Sequence, residues 1–227
     1  MPLPNIYAMP YDYQGVKISW LGHDGFRITY GEKVIYVDPY QIKGGPQADL
    51  ILISHDHFDH LSLDDIKKIA GDKTIIIAAE NCSGKIKGVK AKEVKLVKPG
   101  DKTTVGDITV EAIHAYNVNK FRSPGVVFHP KEYNGVGYVF SVGGVRIYHA
   151  GDTDNIPEMQ GLGPDIALLP VSGTYVMTAE EAAEAVERIK PKVAIPMHYA
   201  AIVGTEEDAE RFKNLAKCEV VILKKEE

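Results

Sequence analysis

The sequence predicts an α/β chain: two mixed β-sheets packed face to face, with helices on the outer faces. Three observations point there. Short apolar runs separated by Gly-bearing turns fill the first half. Strands and capped helices then recur in the second half, with no repeat of sequence. Histidines and aspartates collect where apolar runs end, and loops held by a rigid scaffold are where sites are usually built.

Each element has a local reason. Lys17–Trp20, Phe26–Tyr30 and Val34–Val37 read as strands, divided by turns such as Gly31-Glu32. The continuous run Leu50-Ile51-Leu52-Ile53 reads as a buried strand. A helix follows with Ser62 as N-cap and Asp65 three residues on, and Leu63, Ile66, Ile69 and Ala70 keep helical spacing. Strands at Thr74–Ala78, Glu93–Val97 and Ile108–Ile113 are expected to continue the first sheet. Gly137–Val142 and Val145–His149 form a hairpin turning at Gly143-Gly144. Asp165–Pro170 is another buried strand. Thr178 and Glu181 make a capping box for a helix ending near Ile189, with Lys190 and Pro191 as stop signals. Lys192–Pro196 is a strand, Thr205 with Asp208 opens a last helix, and Glu219–Leu223 closes the chain as a strand.

Composition narrows the function classes. At 227 residues the whole chain, 1–227, is expected to form one domain. No apolar run reaches the length of a membrane span, and the N-terminus lacks the pattern of a signal peptide. The two cysteines, Cys82 and Cys218, make no disulfide framework, so a cytoplasmic location is expected. Net charge is −5 with signs interspersed, which argues against a nucleic-acid groove. Neither Ser83 nor Ser172 stands in a nucleophile elbow, and no Gly-rich phosphate loop is present.

The chemistry concentrates at residues 55–60, His-Asp-His-Phe-Asp-His. Side chains at i and i+2 of an extended chain share a face, so His55 and His57 can grip one metal together. The chain then turns toward a helix, and Asp59 and His60 reach a second point. Imidazole and carboxylate donors suit zinc and similar transition metals. Further on stand Ala112-Ile113-His114 at a strand end, Tyr148-His149-Ala150-Gly151-Asp152-Thr153, and Ile195-Pro196-Met197-His198-Tyr199.

The spacing His55-x-His57-x-Asp59-His60, followed in order by these landmarks, resembles the signature of the metallo-β-lactamase superfamily of metal-dependent hydrolases. Trp20-Leu21-Gly22-His23 and the stretch from Tyr148 to Thr153 are similar to the branch containing ascorbate-6-phosphate lactonase-like proteins. The resemblance implies an αββα sandwich. It implies that His55, His57 and His114 hold one divalent cation, that Asp59, His60 and His198 hold a second, and that Asp152 bridges them. A hydroxide bridging the metals would attack an ester, lactone or phosphate ester of a small molecule, with Asp59 orienting it and moving its proton. Zinc is the first expectation; manganese, iron and nickel also suit the donors. The alternatives are a phosphodiesterase or nuclease, a true β-lactamase, and a metal-binding protein that hydrolyses nothing.

Tyr116, Asn117 and Tyr199 stand near proposed ligands, and His23, in the Gly-rich turn Gly22-His23-Asp24-Gly25, either lines the mouth of the site or is a turn residue; all four are candidate substrate contacts. His149 reads as a packed or supporting histidine, and His129, in Phe128-His129-Pro130, as a loop residue unrelated to metal. The irregular stretch Asn117–Asn134 could serve as a lid, and its Lys120, Arg122 and Lys131 could receive an anionic substrate. Expected partners are therefore a small molecule, anionic ones included, with no nucleic acid and no membrane; homo-oligomerisation is left open.

Overall fold

The structure, a computed structural model, describes residues 10–226. The first sheet holds β1 (Tyr11–Tyr13), β2 (Val16–Gly22), β3 (Gly25–Tyr30), β4 (Lys33–Val37), β5 (Leu50–Ile53), β6 (Ile75–Ala79) and β7 (Glu93–Val97), in that spatial order. Strands β1 to β4 pair antiparallel, and β4 to β7 parallel. Every residue of β5 is buried, as a central parallel strand covered on both faces requires.

The rest of the chain builds a second sheet from β8 (Lys102–Val105) and β9 (Ile108–His114). A separate two-stranded hairpin, β10 (Phe121–Ser123) with β11 (Val126–Val127), interrupts it. It resumes with β12 (Val136–Val142), β13 (Val145–His149), β14 (Ile166–Pro170), β15 (Val193–Met197) and β16 (Glu219–Val220). The spatial order is β16-β15-β14-β13-β12-β9-β8. The helices are α1 (Leu63–Ile69), α2 (Ala179–Ile189) and α3 (Glu206–Leu215). Thr178 and Glu181 cap α2 reciprocally, and α2 buries Ala182, Ala185, Val186 and Ile189, one helical face.

Three expectations need correction. Residues 108–113 do not extend the first sheet; β9 pairs with β12, with His114 opposite Val136, and so belongs to the second. The closing strand stops at Val220 rather than Leu223. The stretch 117–134 is not irregular throughout, since it contains the β10–β11 hairpin. Strand β8 escaped the sequence reading because Lys-Thr-Thr-Val is a polar edge strand with no buried residue.

The two sheets meet over buried Phe26, Ile28, Ile35, Leu50, Tyr138, Phe140 and Ile147. Two hydrogen bonds stitch them together near the end of β5. Tyr138 Oη donates to the Ile53 carbonyl at 2.7 Å, and the Val136 N–H donates to the Ser54 carbonyl at 3.0 Å. That junction is where the chain enters His55–His60. Among the described residues no helix is long and apolar enough to cross a membrane.

Candidate metal centre

Five loops, joined by His129 from the segment after β11, converge on one buried region. The turn between β2 and β3 brings His23 and Asp24. The chain after β4 brings Asp38, that after β5 brings His55 to His60, that after β13 brings Asp152, and that after β15 brings His198. His23, Asp38 and His198 all have left-handed backbone, at φ of 52°, 42° and 58°. Non-glycine residues adopt this region at a cost, and such strain gathers at functional sites. Gly151 (φ 63°) leaves room that a side chain would take, since a Cβ there would lie 2.8 Å from the Val136 carbonyl.

Four histidines share one arrangement: a neighbour engages Nδ1, and Nε2 turns toward the other candidate donors. Ser54 Oγ donates to Asp38 Oδ2 at 2.5 Å, so its oxygen is free to accept from His55 Nδ1–H at 3.0 Å. His60 Nδ1–H donates to Asp38 Oδ2 at 2.8 Å. His198 Nδ1–H donates to Ser172 Oγ at 3.0 Å, while that hydroxyl donates to the Thr174 carbonyl at 3.4 Å. His129 Nδ1–H donates to Asn117 Oδ1 at 2.9 Å. A partner on the far nitrogen fixes the tautomer and the ring, as metal-ligating histidines require.

The donor nitrogens meet in two places. His55 Nε2 lies 3.0 Å from His57 Nδ1, His129 Nε2 lies 3.3 Å from the same atom, and His129 Nε2 lies 3.4 Å from Asp152 Oδ2. On the other side His60 Nε2 lies 3.3 Å and His198 Nε2 3.6 Å from Asp152 Oδ1. A tetrahedral cation with donors at about 2.0–2.2 Å sets them roughly 3.3–3.6 Å apart. With their facing nitrogens unprotonated, His55, His57 and His129 turn lone pairs on one another, a repulsion that a shared cation would relieve. His60 Nε2 and Asp152 Oδ1 are buried with no hydrogen-bond partner among the described residues. The residues present therefore fit divalent metal.

The electrostatics divide the same way. Burial pushes His55 well below the ordinary histidine range, and it also lowers His57 and His129. His60 behaves oppositely: burial opposes its charge, but Asp152 and Asp38 raise it well above the usual value. His198 is carried to about 9 against burial, chiefly by Asp24 and Asp152. Asp152 is held well below the carboxylate range, burial being outweighed by His60 and His198. The sign follows. A raised pKa means a proton occupies His198 below about pH 9 and competes with a cation. Cation affinity at the His60–His198 side should then rise about tenfold per pH unit, or more steeply, between pH 7 and 9. Affinity at the His55–His57–His129 side should stay flat, and chelator competition at three pH values measures both.

The geometry brings together most of the expected ligands but not His114. Its ring lies edge-on to Tyr116 at 6.0 Å, and the charges that touch its titration are Lys131 and Glu158. His129 occupies the place expected of it. The reason is Asn117, whose N–H donates to the His129 carbonyl at 2.8 Å and whose Oδ1 accepts from the His129 N–H at 2.9 Å. These bonds fold the 117–134 segment back on itself and turn His129 inward.

The expected substrate contacts also divide. Asn117 is buried, and its amide donates to Asp154 at 3.2 Å and to the Tyr175 carbonyl at 2.8 Å, so it supports His129 instead of facing solvent. Tyr116 Oη bonds Glu158 at 3.1 Å, and Tyr199 is buried, stacked on Trp20 at 4.8 Å. His23 is buried with Nε2 3.0 Å from Asp59 Oδ2. Lys120 pairs with Glu181 and Lys131 with Glu158, both at 2.6 Å, so two cations of the expected anion loop are already engaged. His149 Nδ1 accepts from the Gly151 N–H at 3.2 Å, and its Nε2–H donates to the Asp24 carbonyl at 2.9 Å. It is a strut between two of the site's loops.

Sequence reasoning missed Asp24, Asp38, Ser54 and Ser172 as well as His129. Only proximity in the fold reveals them.

The chain is similar to known proteins over most of its length. Residues 17–198 match the family model described as a beta-lactamase superfamily domain. The chain is 37% identical to a metal-dependent hydrolase of Pyrococcus abyssi over 92% of its own length and 96% of the relative's. It is 34% identical to a protein of Parabacteroides distasonis crystallised as a candidate metal-dependent hydrolase. That structure superposes with a TM-score of 0.77 over 92% of this chain and 94% of the other. The fold is also similar to that of Igni18, a metallo hydrolase from Ignicoccus hospitalis, at 22% identity and TM-score 0.73, covering 93% of this chain and 96% of that one.

Proposed function

The chain belongs to the beta-lactamase superfamily and is a metal-dependent hydrolase, and from that premise we propose that it cleaves an ester, lactone or phosphate ester of a small molecule with two divalent cations. The observation that carries this is the pair of donor sets sharing Asp152, in which His55, His129, His60 and His198 each have Nδ1 already engaged. His55, His57 and His129 would hold one cation and Asp59, His60 and His198 the other, with Asp152 between them. Zinc is the first choice for such donors. When bound, such a pair lowers the pKa of water toward neutrality and stabilises the oxyanion that develops during attack.

The side chains do the rest. Asp59 is held by its hydrogen bond from His23 and is brought down to about 2, burial being outweighed by that bond and by the neighbouring histidines. It stays ionised at any working pH, accepts a hydrogen bond from the attacking water and receives its proton. Asp38 and Ser54 keep His55 and His60 from rotating, which preserves the alignment on which attack depends. Phe58, between His57 and Asp59, is 66% exposed and packs edge-on to Tyr40 at 5.9 Å.

Two measurements test this. Elemental analysis of metal-saturated protein should give two divalent ions per chain. A panel of p-nitrophenyl phosphodiesters, lactones and nitrocefin should reveal metal-dependent turnover in the first or second group. One ion found reproducibly would end the two-cation reading. No turnover of any compound by fully loaded protein would end the proposed substrate range.

A further inference from the structure

We infer that the cleft behind the His23 turn is a binding site for a small organic anion with an apolar body, with Lys225 as its principal counter-charge. A cavity of about 690 Å³ opens between the chain after β4, the chain after β15 and the C-terminal residues 222–226. That volume lies within the roughly 300–1,000 Å³ of small-molecule sites. None of its lining residues is a metal donor, so the site stands apart from the two-cation reading. Its walls include buried Trp20, Leu21, Ile42, Tyr199 and Leu223, so an apolar group entering it leaves water. The polar part is unbalanced. Lys43, Lys224 and Lys225 line the cleft, and none forms an ion pair among the described residues. Of the two lining glutamates, Glu226 is already bound to Arg27 at 2.6 Å, which leaves Glu206 against three ammonium groups. In a chain of net charge −5 this is a local reversal. Clefts lined by one sign of charge on apolar walls concentrate ligands of the opposite sign.

The backbone fixes Lys225 in place. It bridges Trp20 in parallel, and the next residue's N–H donates to the Trp20 carbonyl at 2.8 Å. The Lys225 side chain lies across Gly22, where an added Cβ would stand 2.9 Å from Cε and 3.1 Å from Nζ. Its ammonium therefore rests on the residue before His23. The same wall reaches the metal centre. Trp20 Nε1–H and the His198 N–H both donate to the His23 carbonyl, at 2.9 and 3.1 Å, and Trp20 stacks on Tyr199 at 4.8 Å. Whatever fills the cleft thus bears on the backbone of two site histidines.

Trp20 is the only tryptophan of the chain and lines the cleft, so its emission reports occupancy without turnover. Metal-loaded protein is titrated with 4-phenylbutyrate and with its neutral amide, following Trp20 emission and the heat of binding. The acid should bind at least about tenfold more tightly than the amide. Lys225→Met, which keeps the stem and removes the charge, should cut that preference to about threefold or less. Lys98→Met, outside the cleft, should keep it. Equal binding of acid and amide by wild type, a preference that survives in Lys225→Met, or heat without a change in Trp20 emission would each overturn the site. Should Lys225→Met lack the native circular-dichroism spectrum, a crystal structure of wild type with phenylbutyrate decides. A carboxylate within about 4 Å of Lys225 Nζ supports the site, and one found only at the metals ends it. Two sources fit this chemistry, the remote end of the substrate and a separate effector. Phenylbutyrate that raises KM alone, in wild type and not in Lys225→Met, assigns the cleft to the substrate; lowering kcat in the same pattern assigns it to an effector. Absence of turnover on any compound would fail the proposed hydrolysis and leave the Trp20 titrations to decide the site.

Discussion

His129→Ala strips the cation from the first donor set and with it the hydrolytic activity, whereas His114→Ala leaves both ions in place. The two residues make a sharp contrast because each is a histidine close to the site in sequence logic and only one is close in space. His129 Nε2 stands 3.3 Å from His57 Nδ1 and 3.4 Å from Asp152 Oδ2. His114 instead lies against Tyr116 and belongs to none of the clustered donor groups. Losing even a group that only supports a ligand weakens metal binding about 10–100-fold, so losing the ligand itself should exceed that. Asn117→Ala supplies an intermediate case, since it frees His129 Nδ1 and should weaken the same ion within that range. Zinc titration of the three variants, with activity at limiting and saturating metal, separates them. Equal retention of both ions by His129→Ala, or loss of one by His114→Ala, would return the ligand to the strand end.

This contrast shows what the sequence carried and what it did not. Residues 55–60 declare themselves because a single strand end and its turn supply several donors within six positions, a local pattern. The capped helices were equally local: the Thr178–Glu181 box needs only a three-residue spacing, and it forms as expected. The sandwich follows from the run of strands and helices, yet the sheet to which residues 108–113 belong depends on pairing with β12, across more than twenty residues, and periodicity cannot read that. The same limit hid His129. Its inward turn is produced by Asn117 side-chain and backbone bonds across a hairpin of polar residues. Asp24 was hidden for a related reason. A Gly-His-Asp-Gly turn looks like solvent-facing punctuation until the second sheet, through His149, closes over it.

Asp59→Asn lowers turnover of any substrate about 10²–10⁴-fold at saturating metal and leaves the fold intact. Asparagine keeps the shape and can still accept the His23 hydrogen bond through its carbonyl, so the 3.0 Å contact is not sacrificed. What is lost is the negative charge and the ability to take a proton. Wild-type Asp59 sits at about 2, so it is a weak base, and it is effective only toward a water already acidified by the cations. Two consequences follow. The wild-type rate should show no titration of Asp59 between pH 5 and 9, because the group is fully ionised there. The deficit of Asp59→Asn should not be recovered by excess zinc, since the defect is in proton handling and not in occupancy. Circular dichroism, ion count and turnover measured on the same preparation distinguish these. Near wild-type turnover with native dichroism would show that Asp59 has no catalytic role. Recovery of the rate by added metal would show that its contribution is to hold a cation.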